Sequence, residues 1–126
     1  MIKVVKFLLL EKDALLAKAL ADIITEMSHE HIITCYINKE DATASLEFGC
    51  FSFLIISVES ENDIGIEFAR EARKLEEYKA TIMLFIVKSE NNNMLETIIE
   101  EFDFCHGILM PFNNAKIETM KSIILG

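Results

Sequence analysis

Five short apolar runs alternate with amphipathic segments along this chain, and that alternation constrains the fold more than any other feature of the sequence. A run that is apolar at nearly every position is typical of a strand buried on both faces, as in a parallel sheet covered by helices. The sequence predicts such strands at 4–10, 32–37, 53–58, 81–87 and 107–110.

Each predicted strand is followed by a segment whose apolar residues recur at helical spacing. Asp13 is placed to cap the first helix, and Gly49 is placed to end the second, which starts near 39–41, because glycine is common at helix C-termini. The third helix is predicted to begin after Asn62-Asp63, the fourth to be capped by Ser89, and the fifth to start near 113–114. The predicted inward positions are Leu16, Leu20, Ile23, Ile24 and Met27, then Ile64, Phe68, Ala72 and Leu75, then Leu95, Ile98, Ile99 and Phe102, and finally Ile117, Met120 and Ile124.

Five strand–helix pairs joined by short connections predict a three-layer α/β fold in which a five-stranded parallel sheet has helices on both faces. The usual strand order at this size is 2-1-3-4-5, with the site at the carboxyl ends of the strands. The 126 residues form a single domain, 1–126, and their 52% hydrophobic content supplies an ample core. Ser57 lies near the carboxyl end of the third predicted strand, where the chemistry is expected.

Charge and composition exclude several classes of function. The net charge of −9 argues against direct binding of nucleic acid or anionic membranes, both of which favour basic surfaces. No apolar run approaches a membrane span, and the first run lacks the cleavage site of a signal peptide, so we expect a cytoplasmic protein. The three scattered cysteines fit reduced thiols, and they show neither metal-ligand nor disulfide spacing.

Three fragments, in order and at matching spacing, resemble the receiver domain of two-component response regulators over essentially the whole chain. Residues 51–57 resemble the strand that ends in the phosphoacceptor aspartate, 65–68 the start of the third helix, and 107–112 the fifth strand with its Lys-Pro-Phe ending. The resemblance implies the flavodoxin-like fold, a role in phosphorelay signal transduction, and a cis bond between Met110 and Pro111.

The resemblance also implies a set of chemical groups from which this chain departs. Receivers bind Mg²⁺ with an acidic pair after strand one, where this chain has Glu11 and Lys12. Ser57 stands at the phosphoacceptor position, and Met110 at the position of the lysine that ends strand five. The Thr or Ser that ends strand four corresponds to Phe85, or to Ile86 if the register shifts by one. We therefore expect lost or weak Mg²⁺ binding and no aspartate phosphorylation.

These departures predict a pseudo-receiver that acts through a protein partner or an effector domain and carries out no enzymatic reaction. A homodimer through the face of helix four, strand five and helix five is one expected arrangement. The alternative is a small-molecule sensor whose crevice is lined by Ser57, Glu11, Phe85 and Met110. A deep, open pocket at Ser57 favours the sensor, whereas a filled one favours the interaction domain.

Several alternatives stay open at the level of sequence. Lys12 either pairs with Glu11 or Glu59 in the space of the metal or extends into solvent. Ser57 is either a target of a serine kinase or a small polar residue at a strand end. A phosphoacceptor of another kind would have to be Glu59, Glu61 or Asp63. Acidic residues on helix four (Glu96, Glu100, Glu101 and Asp103) form either a solvated face or a docking face. The partner, the pathway, any kinase and any effector domain after Gly126 are not determined.

Overall fold

The computed structural model describes residues 4–27, 30–60, 63–88 and 92–126, which form alternating strands and helices. The strands are β1 (Val5–Leu10), β2 (His31–Tyr36), β3 (Phe53–Val58), β4 (Ile82–Val87) and β5 (Cys105–Leu109). The helices are α1 (Ala14–Met27), α2 (Lys39–Gly49), α3 (Ile64–Lys74), α4 (Asn92–Glu101) and α5 (Asn114–Leu125), with a 3-10 turn at Glu76–Tyr78.

The five strands pair in parallel in the order β2-β1-β3-β4-β5, which confirms the predicted fold class and strand order. The register sets Ser57 of β3 opposite Ile86 of β4 and Ile86 opposite Ile108 of β5. The carboxyl ends of the parallel strands therefore lie together at one end of the sheet, where ligand sites of such folds are found.

Strand alternation divides the core into two layers, because successive side chains point to opposite faces. One layer packs the even-numbered residues of β1 and β3, with Met83, Phe85 and Val87, against α2, α3 and α4. The other layer packs the odd-numbered residues of β1 and β3, with Leu84, Ile86 and Ile108, against α1 and α5. This division decides which strand residues can reach the crevice together.

The predicted cap of the first helix is confirmed. Asp13 Oδ1 accepts a hydrogen bond from the backbone N of Leu15 at 3.0 Å, and Asp63 caps α3 through the backbone N of Gly65 at 3.0 Å. The predicted cap Ser89 lies outside the described residues, as do Asn62 and Glu61.

The Met110–Pro111 bond is cis, as predicted. None of the described helices has the length and apolar composition needed to cross a membrane.

Some sequence-based placements were wrong. The predicted end of α2 at Gly49 is confirmed, but the left-handed residue that follows the helix is Cys50 (φ 51°) rather than a glycine. A Cβ added to Gly49 would lie 2.0 Å from the Phe51 ring. Ile64, Leu75 and Ile99 are exposed, and their inward places are taken by Ile66, Ala69 and Met94. The other predicted inward residues of α3 and α4, Phe68, Ala72, Ile98 and Phe102, are buried as predicted, so the errors concern single residues at the margins of the two stripes.

Candidate functional site

The candidate site is the crevice at the carboxyl ends of β1, β3 and β4. Six polar or charged residues contribute to its lining: Glu11, Lys12, Ser57, Glu59, Asp63 and Lys88. Glu11 and Lys12 directly follow β1, Ser57 is the penultimate residue of β3, and Lys88 directly follows β4. Residues distant in sequence thus converge because the parallel strands end together.

Glu11 is the buried carboxylate of the crevice, with only 1% of its surface exposed. Its Oε1 accepts one hydrogen bond from the backbone N of Asp13 at 2.9 Å and another from Lys88 Nζ at 2.5 Å. Its Oε2 has no hydrogen-bond partner among the described residues. Removing a carboxylate from water is costly unless a cation and donors compensate it, so Glu11 depends on Lys88.

Lys88 is the charged residue of the crevice that the sequence analysis missed. Its side chain is 16% exposed, and its Nζ lies 2.5 Å from Glu11 and 3.4 Å from Glu59, so one ammonium group bridges two carboxylates. Its backbone N donates to the carbonyl of Val58 at 2.9 Å, which fixes the start of the side chain beside β3. One signal was available: Lys88 is the first charged residue after a buried strand, at the edge where parallel strands place their sites.

Lys12 continues the chain of charges toward solvent. Its Nζ lies 3.0 Å from Glu59 Oε2, and both side chains are about half exposed. The hydrogen bond from Lys12 is the main cause that lowers the pKa of Glu59, and the bond to Glu59 raises the pKa of Lys12. Lys12 therefore combines the two sequence-based alternatives, because it pairs with Glu59 as one predicted and is exposed to solvent as the other predicted. The contact with Glu11 is made by Lys88.

Ser57 lies in the crevice as predicted, and it is 8% exposed. Its Oγ is buried and has no hydrogen-bond partner among the described residues. No histidine is among the described residues that line the crevice. Helix α3 approaches the strand closely here, since a Cβ added to Gly65 would lie 2.4 Å from the carbonyl oxygen of Ser57. The hydroxyl therefore sits in a confined space and lacks the adjacent base that activates a serine nucleophile.

Two predicted site residues are not in the crevice lining. Phe85 is fully buried in the opposite core layer, where its ring lies 5.4 Å from that of Phe102. The predicted place of Phe85 in the crevice is therefore corrected. Ile86, the alternative register, lies opposite Ser57 in the ladder, but it is also fully buried and is not part of the crevice lining. Met110 follows β5, donates its backbone N to the carbonyl of Val87, and packs against the layer of α1 and α5.

The remaining space in the crevice is small. Its volume is about 10 Å³, which is room for roughly one water molecule. Mg²⁺ requires carboxylate oxygens free to coordinate it in near-octahedral geometry. Oε2 of Glu11 is unpaired among the described residues, but Oε1 of Glu11 and both carboxylate oxygens of Glu59 are bonded to Lys88 or Lys12, so this donor set does not fit Mg²⁺. Across residues 4–27, 30–60, 63–88 and 92–126, no group of three or more His, Cys, Asp or Glu is arranged to hold a metal ion.

No protein-family model matches the chain, and no curated protein sequence matches it. The chain does match solved structures of other proteins. The signal receiver domain of a DNA-binding response regulator from Colwellia psychrerythraea 34H matches with a TM-score of 0.77 and 15% identity, over 97% of this chain and 99% of that one. The chemotaxis response regulator CheY4 of Vibrio cholerae matches with a TM-score of 0.75 and 15% identity, over 96% and 99%.

A third structure is the receiver domain of the sensor histidine kinase PA1611 from Pseudomonas aeruginosa PAO1, which has a magnesium ion coordinated in its active-site cleft. It matches with a TM-score of 0.76 and 13% identity, over 95% of this chain and 96% of that one. Likeness at such low identity over nearly the full length of both chains establishes that this chain has the fold of response-regulator receiver domains.

Proposed function

We propose that this chain is a receiver-like signalling domain that has lost the phosphoacceptor aspartate and works through protein contacts that need no aspartate phosphorylation. The observation that carries the proposal is the ammonium group of Lys88, held between Glu11 and Glu59 at 2.5 and 3.4 Å. In this proposal, the ammonium group takes the role of the magnesium ion that the PA1611 receiver coordinates in its active-site cleft.

The chemistry of phosphoryl transfer supports the proposal. Such sites work by positioning and by neutralising the charge of the transferred group with free cations. Here the two ammonium groups, from Lys12 and Lys88, are already neutralised by the two carboxylates of Glu11 and Glu59. Ser57 offers a neutral hydroxyl in place of a carboxylate. The proposed domain therefore has neither the acceptor nor the free positive charge that the reaction uses, and we propose no enzymatic activity.

The size of the crevice separates the two functions that the sequence left open. A small-molecule sensor needs a pocket of some hundreds of Å³, whereas this crevice has about 10 Å³. The filled crevice favours the interaction domain. The three cysteines are free, which suits a reducing compartment, so the proposal locates the domain in the cytoplasm.

The output face in this proposal is formed by α4, β5 and α5, where a protein partner, an effector domain or a second copy would bind. Ile99 on α4 and Phe104 before β5 are exposed apolar side chains on this part of the surface. Glu96 and Glu100 of α4 are exposed beside them. Apolar side chains with an acidic rim suit a partner whose contact surface is apolar with a basic border.

The test is incubation with Mg²⁺ and acetyl phosphate, read by intact mass. The expected result is no mass increase of one phosphoryl group, in the parent or in a Ser57→Asp variant, because Lys88 still occupies the crevice. A CheY-type receiver under the same conditions is the positive control. A base-labile phosphoryl group on the parent would overturn the proposal, since another carboxylate would then be the acceptor. Phosphorylation of the Ser57→Asp variant alone would contradict the role given to Lys88.

A further inference from the structure

Strand β2 forms one edge of the described sheet and pairs on one side only, with β1. The register between the two strands is unbroken over six residues, so no bulge distorts the edge. Edge strands of natural proteins usually carry lysine, proline or a bulge, which discourage pairing with another chain. The sequence of β2, His31–Tyr36, contains neither lysine nor proline. This edge is therefore open to a further strand.

An apolar groove of about 250 Å³ runs along this edge. Ile32, Thr34 and Tyr36, which share one face of β2, form its floor with parts of α2 and Phe51. Two large apolar side chains are left in solvent here: Ile32 is 49% exposed, and Phe48 at the end of α2 is 81% exposed. Adjacent exposed apolar side chains of this size mark an interaction surface.

We infer that the occupant of this edge is a second copy of the chain, joined by antiparallel pairing of the two β2 strands about a two-fold axis at Thr34. The two sheets then become one continuous sheet. In an antiparallel pair centred on one residue, Thr34 faces Thr34 of the other copy and Ile32 faces Tyr36 of the other copy. Threonine pairs and pairs of an aromatic with a β-branched residue are favourable across strands, so β2 is self-complementary.

The distribution of charge supports a second copy. Two chains that each carry a net charge of −9 repel one another except where the contact surface lacks acidic groups. None of the described residues that line the groove is acidic, and Lys6 is its one cation. Lys6 lies at the end near Gly49, its hydrogen-bond partner, whereas Asp41 lies near the start of α2, at the other end. An antiparallel arrangement brings the Lys6 end of one copy to the Asp41 end of the other.

This interface is separate from the crevice and from the face of α4, β5 and α5. The first test is sedimentation velocity over a concentration series up to about 1 mM. A contact made by one six-residue strand and the groove beside it is small, so we expect a weak, reversible dimer. The parent is expected to show a concentration-dependent dimer that is lost in Ile32→Lys and in Phe48→Glu. Leu15→Lys, at an equally exposed apolar residue on α1, is the matched control that should retain it. Ile99→Lys tests separately whether the face of α4, β5 and α5 forms the dimer instead.

A cross-link tests the register. Thr34→Cys, made in a chain with Cys35→Ser and Cys50→Ser, is expected to form a disulfide-linked dimer on mild oxidation, because residues opposite one another in antiparallel strands lie within the Cα range of disulfides. Thr97→Cys on α4 is the matched control and should remain monomeric. A monomer at every concentration, or a dimer abolished by Ile99→Lys but kept by Ile32→Lys, would overturn the inference. Neither result would bear on phosphorylation of the crevice.

Discussion

The two ends of the sheet hold their buried charges in different ways. At the carboxyl ends, Lys88 is held by the carboxylates of Glu11 and Glu59. At the amino ends of β4 and β5, Arg73 of α3 donates to the backbone carbonyls of Tyr78 at 2.5 Å and Asp103 at 2.6 Å. Each end also has a buried polar atom without a partner among the described residues, Glu11 Oε2 at one and Arg73 Nε at the other.

The difference lies in the acceptors. A main-chain carbonyl neither titrates nor changes when a residue is substituted. The hydrogen bonds from Arg73 to the carbonyls of Tyr78 and Asp103 therefore do not depend on the side chains at those two positions. A carboxylate both titrates and can be replaced, so the cluster of Glu11, Glu59 and Lys88 depends on each side chain. Burial lowers the pKa of Arg73, but a guanidinium stays charged at physiological pH. Substitution of single residues can therefore alter the charge interactions at the carboxyl ends more easily than the hydrogen bonds at the amino ends.

The largest effect is expected at the crevice. Lys88→Met leaves Glu11 buried without its cation, which should lower the free energy of unfolding by about 3–5 kcal/mol. Urea denaturation at neutral pH measures it. Lys12→Met is the matched control, since Lys12 is exposed, and should leave the free energy of unfolding nearly unchanged. Adding Glu11→Gln to Lys88→Met should recover part of the loss; equal losses in the single and double variants would contradict the dependence of Glu11 on Lys88.

A smaller effect is expected at the other end. Arg73→Met removes hydrogen bonds from a charged donor to two carbonyls, and the retained apolar stem limits the loss to about 2 kcal/mol. Lys74→Met, one residue further along α3 and exposed, serves as the comparison in the same urea experiment and should be nearly neutral. If Arg73→Met proved as neutral as Lys74→Met, the stabilising role of the Arg73 hydrogen bonds at the amino ends would be refuted.

The smallest effect concerns pH. Since Lys12 and Lys88 lower the pKa of Glu59 in the folded state, its contribution to stability is present above its unfolded value of about 4.3 and is lost as pH falls through the lower, folded value. The contribution is below about 1 kcal/mol, because Glu59 is largely exposed. Thermal unfolding of the parent and Glu59→Gln should differ at neutral pH and converge in acid. Raised salt should shrink the difference; a salt-independent difference would argue against the ion pairs.

The fold was predictable because its signals are repeated: five buried runs, each followed by a helical stripe, allow few arrangements. The crevice was predictable only in part. Glu11, Lys12 and Ser57 were placed correctly, since they end continuous apolar runs. Phe85 was misplaced because strand side chains alternate, so an error of one residue moves a side chain to the other core layer. Lys88 was missed because its partner Glu11 is 77 residues away, and no local pattern records such a pair.

That separation in sequence has a kinetic consequence. The contact between Lys88 and Glu11 spans 77 residues, and the one between Lys12 and Glu59 spans 47. Long loops must close before such contacts form, so they are made after the strands have come together. Until then Glu11 stays hydrated and tolerates its charge. We therefore expect substitutions in the ionic cluster to change mainly the rate of unfolding, because its contacts form late.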